Sequence, residues 1–194
     1  MLDVGADEVG FGEGQGCGTL NFFEEHYPWP ERITALGVHD GTGFRARYPG
    51  IAYVQGDACA LPFDDGAFDV VFSNAVIEHV GGRDEQRRFV RELCRVAPRV
   101  FVSTPNRRFP VEVHTLMPFV HWLPRDARDR VFATLHRDAW AGVELLDQRE
   151  LLGLFPAEAT TRIVESKITI TVIATRPPRD PTGAPGECGP RGRS

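Results

Sequence analysis

The residues best suited to chemistry sit where short apolar runs give way to turns. The opening MLDVG is an apolar strand that ends in Gly5. Lacking a Cβ, that glycine lets the backbone turn sharply and come close to a ligand, or simply forms a tight turn. Asp3 lies inside the strand, where a carboxylate can accept hydrogen bonds from the turn or from a cationic amine. A second apolar run ends in Gly37-Val38-His39-Asp40. An acidic residue at such a strand end can accept two hydrogen bonds from a ribose diol, or can be a solvated turn residue. A third run ends in Gln55-Gly56-Asp57-Ala58 and is followed by Leu61-Pro62-Phe63. Asp57 can accept from an adenine amino group with Leu61 and Phe63 packed near the ring, or it can stabilise its own turn.

Glu78 and His79 follow the next apolar run. Such a pair can cap or pack a helix, or His79 can act as the general base that takes a proton from an acceptor hydroxyl. His114, His121, Trp122 and Trp140 can form a substrate pocket, with ordinary packing as the alternative. Cys17, Cys59, Cys94 and Cys188 show neither CxxC pairing nor histidine at ligand spacing, so neither a disulfide framework nor a metal centre is expected.

The elements that must position these groups alternate between strand and helix. Strands are expected at 2–4, 33–38, 51–55, 68–72 and 100–103, each short and apolar, as in a sheet covered on both faces. Residues 84–97 place Phe89, Val90, Leu93, Cys94 and Val96 on one side of a helix, and Arg87, Arg88, Arg91, Glu92 and Arg95 on the other. The arginines read most simply as a solvated face. From 107 to 146, aromatic and histidine residues punctuated by Pro110, Pro118 and Pro124 suggest an inserted lid. Its apolar run, 111–123, lacks the basic face of a helix that rests on a membrane. Asp147 and Glu150 have capping-box spacing ahead of a helix that Pro156 stops. Alternating segments at 161–165 and 167–175 suggest a closing pair of strands. Residues 176–194 are rich in Pro and Gly and almost free of apolar side chains, so a disordered tail is expected.

A chain of 194 residues suits one domain. Its net charge of −5 argues against a nucleic-acid partner held mainly by electrostatics. Lys167 is the only lysine among 22 basic residues, which reads as codon bias toward GC-rich arginine codons. Neither a transmembrane run nor a secretory leader is evident, so a cytoplasmic location is expected. Nothing in the sequence specifies the oligomeric state.

The run GDACALPFDDGAFDVVFSNAVIEHV at 56–80 resembles the third and fourth motifs of class I S-adenosylmethionine-dependent methyltransferases of the small-molecule type 11 group. The shared features are an acidic residue after strand three, a Leu-Pro-Phe, an Asp-Gly turn, a Phe-Asp-x-Val strand and a Glu-His. MLDVG resembles their first motif, and RVFVSTPN at 99–106 resembles their fifth strand and the loop after it. From 107 to 155 the likeness is to a subgroup with an aromatic, Pro-rich segment and a Leu-Phe-Pro helix end.

The resemblance implies a Rossmann-like, doubly wound α/β fold with a seven-stranded sheet, mostly parallel with one antiparallel strand, spanning 1–175. It also implies S-adenosylmethionine as cofactor. Gly5, Asp40, Asp57, Ala58 and Ser73 or Asn74 would line the pocket, with His39 as the alternative to Asp40, and Asp3 in the first motif is expected to bind the cofactor with them. Two departures matter. Gly5 is followed by Ala6-Asp7-Glu8-Val9 and then glycines at 10, 12, 14, 16 and 18, rather than by a direct Gly-x-Gly. The chain also starts on its first strand, so an upstream helix is expected to supply the pocket's remaining wall. The activity implied is methyl transfer to a small-molecule or lipid-linked acceptor, at oxygen. The rival readings are a non-catalytic binding relative and a nicotinamide-dependent oxidoreductase, against which the absent GxGxxG helix counts.

Overall fold

Five apolar runs of three to seven residues lie side by side in the structure, a computed structural model that describes residues 1–7, 21–135 and 142–176. They are β1 (Leu2–Val4), β2 (Thr34–Gly37), β3 (Ala52–Gln55), β4 (Val70–Asn74) and β5 (Arg99–Pro105), all mutually parallel. The hairpin of β8 (Thr160–Glu165) and β9 (Thr169–Thr175) completes a seven-stranded sheet of order β3-β2-β1-β4-β5-β9-β8. β9 runs against both β5 and β8, and is therefore the one antiparallel strand. The strand order reverses between β1 and β4, leaving a crevice at their carboxyl ends.

Both faces of the sheet are covered. The helix α3 (Arg83–Val96) buries Phe89, Val90, Leu93 and Val96 against Leu2, Val4 and Val71. On the other face, Phe44 of α2 (Thr42–Arg47) packs with Ala35, Tyr48 and Tyr53. Alternation along β2 explains the division, since Ala35 faces one layer and Leu36 the other.

Three expected boundaries move. β4 begins at Val70 rather than at 68, because the Phe68 amide bonds to Val96 O at the end of α3 and its ring packs edge-on against Phe63. The expected capping box is present, with reciprocal bonds between Asp147 and Glu150, but α5 (Gln148–Leu152) ends before Pro156 in turns at Leu154 and Phe155. Glu78 and His79 sit in a turn ahead of α3 rather than in a helix.

The segment after β5 forms a short hairpin of β6 (Val111–Glu112) and β7 (Met117–Pro118), a 3-10 turn at Val120–Trp122 and the helix α4 (Arg125–Thr134). The glycine-rich stretch 8–20, Trp140 and the tail 177–194 lie outside the described residues. Among the described residues, no helix is long and apolar enough to cross a membrane.

Candidate functional site

Gly5 turns the chain out of β1 with φ of 106°, and its amide and that of Ala6 both donate to Leu36 O. A Cβ at Gly5 would fall 2.1 Å from Val76 Cγ2, so both backbone conformation and space demand glycine there. Gly5→Ala is expected to lower unfolding free energy by about 2 kcal/mol, read from urea denaturation, through strain and overpacking together. Beyond the turn, the Asp7 amide donates to Asn21 Oδ1, and Asn21 Nδ2 donates back to Asp7 O, so the two ends of the glycine-rich stretch are clamped. Asn21 tolerates this in the left-handed region, at φ of 53°. The crevice so formed is lined by residues that include Asp3, Gly5, Phe22, Phe23, Asn74 and Ala75. Ala75 is itself left-handed, a strain of the kind found where chains shape a site.

Behind this crevice Asp3 is buried in β1, facing Glu24 on the helix α1 (Phe22–His26), which is also buried. Burial raises the Asp3 pKa well above the usual carboxylate range, and the Glu24 carboxylate beside it raises it further. Among the described residues, neither Glu24 oxygen has a hydrogen-bond donor. Two acceptors can bond only through a shared proton, so the pair is short of one positive charge. Glu24 carries no sequence signal, since neither its spacing nor its neighbours single it out from Glu25.

The expected cofactor residues separate. Asp40 is exposed past the end of β2, and its Oδ1 accepts from the Thr42 amide at 2.9 Å. Asp57 is exposed past β3, and its Oδ1 accepts from the Cys59 amide at 2.8 Å, a turn-stabilising bond that occupies only one carboxylate oxygen. Ala58 is buried below it. On β4, Ser73 points inward and donates to Val4 O, joining β4 to β1, whereas Asn74 lines the crevice.

The loop carrying Asp57, Leu61 and Phe63 is held by Arg95, which is not the solvated residue its helix position suggests. Its guanidinium donates to Leu61 O, Phe63 O, Asp65 and Glu92, while Glu92 accepts from the Leu61 amide. These bonds hold the Glu92 carboxyl below its usual range.

Toward the segment after β5, Glu78, His79 and His114 converge, with one ligand-type atom from each lying within 4.8 Å of the others. No sequence spacing announced this, because His114 arrives from a separate hairpin. Glu112 accepts from the His114 amide, from His114 Nδ1 at 2.6 Å, and from the amide and hydroxyl of Thr115. Burial pushes the Glu112 carboxyl up, but those bonds outweigh it and hold it at about 2. Glu78 is fully buried, which pushes its pKa up to about 7 although Thr104 donates to Oε2. Desolvation, with His114 alongside, lowers the pKa of His79.

His121 Nε2 and Trp122 Nε1 both bond to Arg107 O. These side chains line a cavity of about 410 Å³ with Arg107, Arg125, Arg128 and Glu144. His121 and Trp122 thus line this cavity, whereas His114 lies beside Glu78.

Residues 8–99 match the family described as a methyltransferase domain, a span that includes the glycine-rich stretch. The chain is 44% identical over 103 residues to the "Probable S-adenosylmethionine-dependent methyltransferase" of Mycobacterium tuberculosis, covering 52% of this chain and 35% of that protein. It is 33% identical over 94 residues to norajmaline N-methyltransferase of Rauvolfia serpentina, covering 46% of this chain and 30% of that one. The chain thus matches about a third of the length of these curated relatives. Among solved structures, the N-methyltransferase NodS of Bradyrhizobium japonicum shares the fold, with a TM-score of 0.57 at 14% identity over 91% of this chain and 85% of that one. The matched motifs, the methyltransferase-domain match over residues 8–99 and the sheet order together support a class I S-adenosylmethionine-dependent methyltransferase of the type 11 group.

Proposed function

We propose that this chain binds S-adenosylmethionine in the crevice between β1 and β4 and directs its methyl group to a small-molecule or lipid-linked acceptor, at oxygen. The observation that carries the reading is the buried Asp3–Glu24 pair, whose missing positive charge the ammonium of the cofactor's methionine end would provide. Gly5 and Asn74 would line that end, Asp40 would take the ribose, and Asp57 with Ala58 would take the adenine. The cofactor supplies an electrophilic methyl on a sulfonium. The chain's own contribution is to hold and orient, which is most of what an in-line transfer needs.

The cluster of Glu78, His79 and His114 on the acceptor side supports an oxygen acceptor, because a hydroxyl must lose a proton as it is methylated and these groups can take one. The cavity bounded by three arginines and one glutamate suits an acceptor with an anionic group, and the described residues of segment 107–146 would cover it as a lid. The acidic net charge supports a small-molecule rather than a nucleic-acid partner. The free thiols of Cys59 and Cys94 suit the cytoplasm.

Calorimetric titration with S-adenosylhomocysteine tests the reading. Binding is expected, and Asp57→Ala should weaken it about tenfold, the usual effect of losing one hydrogen bond to a charged group. Tight NAD binding without S-adenosylhomocysteine binding would sink the proposal. An unchanged affinity in Asp57→Ala would refute the placement of the adenine.

A further inference from the structure

We propose that Glu78, His79 and His114 form a site for a first-row divalent metal ion, with Glu112 as the group that orients His114. The geometry points there in two independent ways. One is convergence: a carboxylate from the turn after β4, the neighbouring histidine and a histidine from the β6–β7 hairpin bring one ligand-type atom each within 4.8 Å of one another. The other is an orphaned atom. Glu78 is 0% exposed, its Oε2 is bonded by Thr104, and its Oε1 has no hydrogen-bond partner among the described residues. That oxygen lies 4.0 Å from His114 Nε2.

The state of His114 explains why the gap suits a cation. Its Nδ1 faces Glu112 Oε1 at 2.6 Å, and Glu112 is itself saturated by donors from His114 and Thr115. With Nδ1 as donor, Nε2 presents a lone pair toward the Glu78 oxygen. With Glu78 ionised, two acceptors then face each other across a gap too long for a hydrogen bond. A carboxylate that fixes the tautomer of a ligating histidine is the usual outer arrangement of a metal site.

Two nitrogens and one oxygen favour zinc or iron over magnesium, calcium or manganese, which prefer oxygen donors. Bonds of about 2.1 Å place ligand atoms roughly 3 to 3.5 Å apart, so the three side chains would close by about 1 Å on binding. His79 is exposed, which leaves coordination positions open on the outer side. The Glu78 carbonyl accepts from the Glu144 amide at 2.8 Å, tying this turn to the far end of the segment that lines the arginine cavity. A metal here could bind an acceptor hydroxyl and lower its pKa. That consequence rests on the methyl-transfer reading, whereas metal binding itself does not.

The test uses Co2+ as the probe on the full chain, stripped with a chelator and free of cofactor, followed by visible absorption and calorimetry. One Co2+ per chain is expected. Affinity should fall at least a hundredfold in His79→Ala and in His114→Ala, and about tenfold in Glu112→Gln, the usual cost of an orienting partner. His79 is at the surface, so its variant keeps the test valid even if His114→Ala fails to fold. Absence of Co2+ binding, or binding that His79→Ala leaves unchanged, overturns the proposal. Titration with S-adenosylhomocysteine on the same preparation is a separate measurement, so failure of the cofactor reading is distinguishable from failure of this one.

Discussion

Arg95→Met is expected to lower the unfolding free energy by about 3 to 4 kcal/mol and to weaken S-adenosylhomocysteine binding at least tenfold. The side chain of Arg95 is 26% exposed and gives up two backbone carbonyl bonds and two carboxylate partners in this change. Charge-assisted bonds of this kind contribute about 1.5 to 3 kcal/mol each when sheltered, and less where solvent screens them. Methionine keeps the apolar stem, so the loss reports on the guanidinium rather than on packing. The binding effect follows because the loop from Asp57 to Asp65 has its carbonyls fixed by Arg95 and its Leu61 amide fixed by Glu92. Urea denaturation with parallel calorimetry checks both effects. A variant that unfolds earlier yet binds normally would separate the loop's anchoring from cofactor recognition.

The second large effect concerns pH. The Asp3 pKa is raised, so between the unfolded value near 4 and the higher folded one, the native chain holds more proton than the unfolded chain. Stability of the ligand-free chain should therefore fall as pH rises through that window, by up to about 1.4 kcal/mol per unit for one proton. Asp3→Asn should flatten this slope. Among the described residues, Glu24 is the charged group that faces Asp3, since the paired positions on the adjacent strands are Ala35 and Phe72. Unfolding midpoints measured across the acid-to-neutral range decide the matter, and an equal slope in both chains would remove Asp3 as its source. Cofactor binding should oppose the trend, because an ammonium beside the pair favours its ionised form, and proton release should appear as a buffer-dependent binding heat.

The boundaries show how far local pattern reaches. Strands at 2–4, 33–38 and 51–55 were legible because a buried parallel strand is a short apolar run, and the structure trims only an end residue or two from them. The expected start at Phe68 fails because Phe68 satisfies its amide at the end of α3, a partner far along the chain. Arg95 misleads in the same way. Its helix position marks it as outward-facing, and only the loop folded across that face makes it an anchor.

What the sequence by itself determined was the alternation of strand and helix, the turn glycine at Gly5, the Asp147 capping box and the motif it shares with methyltransferase domains. Each depends on periodicity or on residues a few positions apart, and hydrophobic burial and turn chemistry act at that range. The tertiary structure alone decided which charged groups meet. Asp3 faces Glu24 because a helix returns over β1, and His114 reaches Glu78 because a hairpin folds back over the turn after β4. Separated by stretches with no pattern of their own, these pairs acquire their chemistry from a shared low-dielectric interior, which exists only once the chain has closed around them.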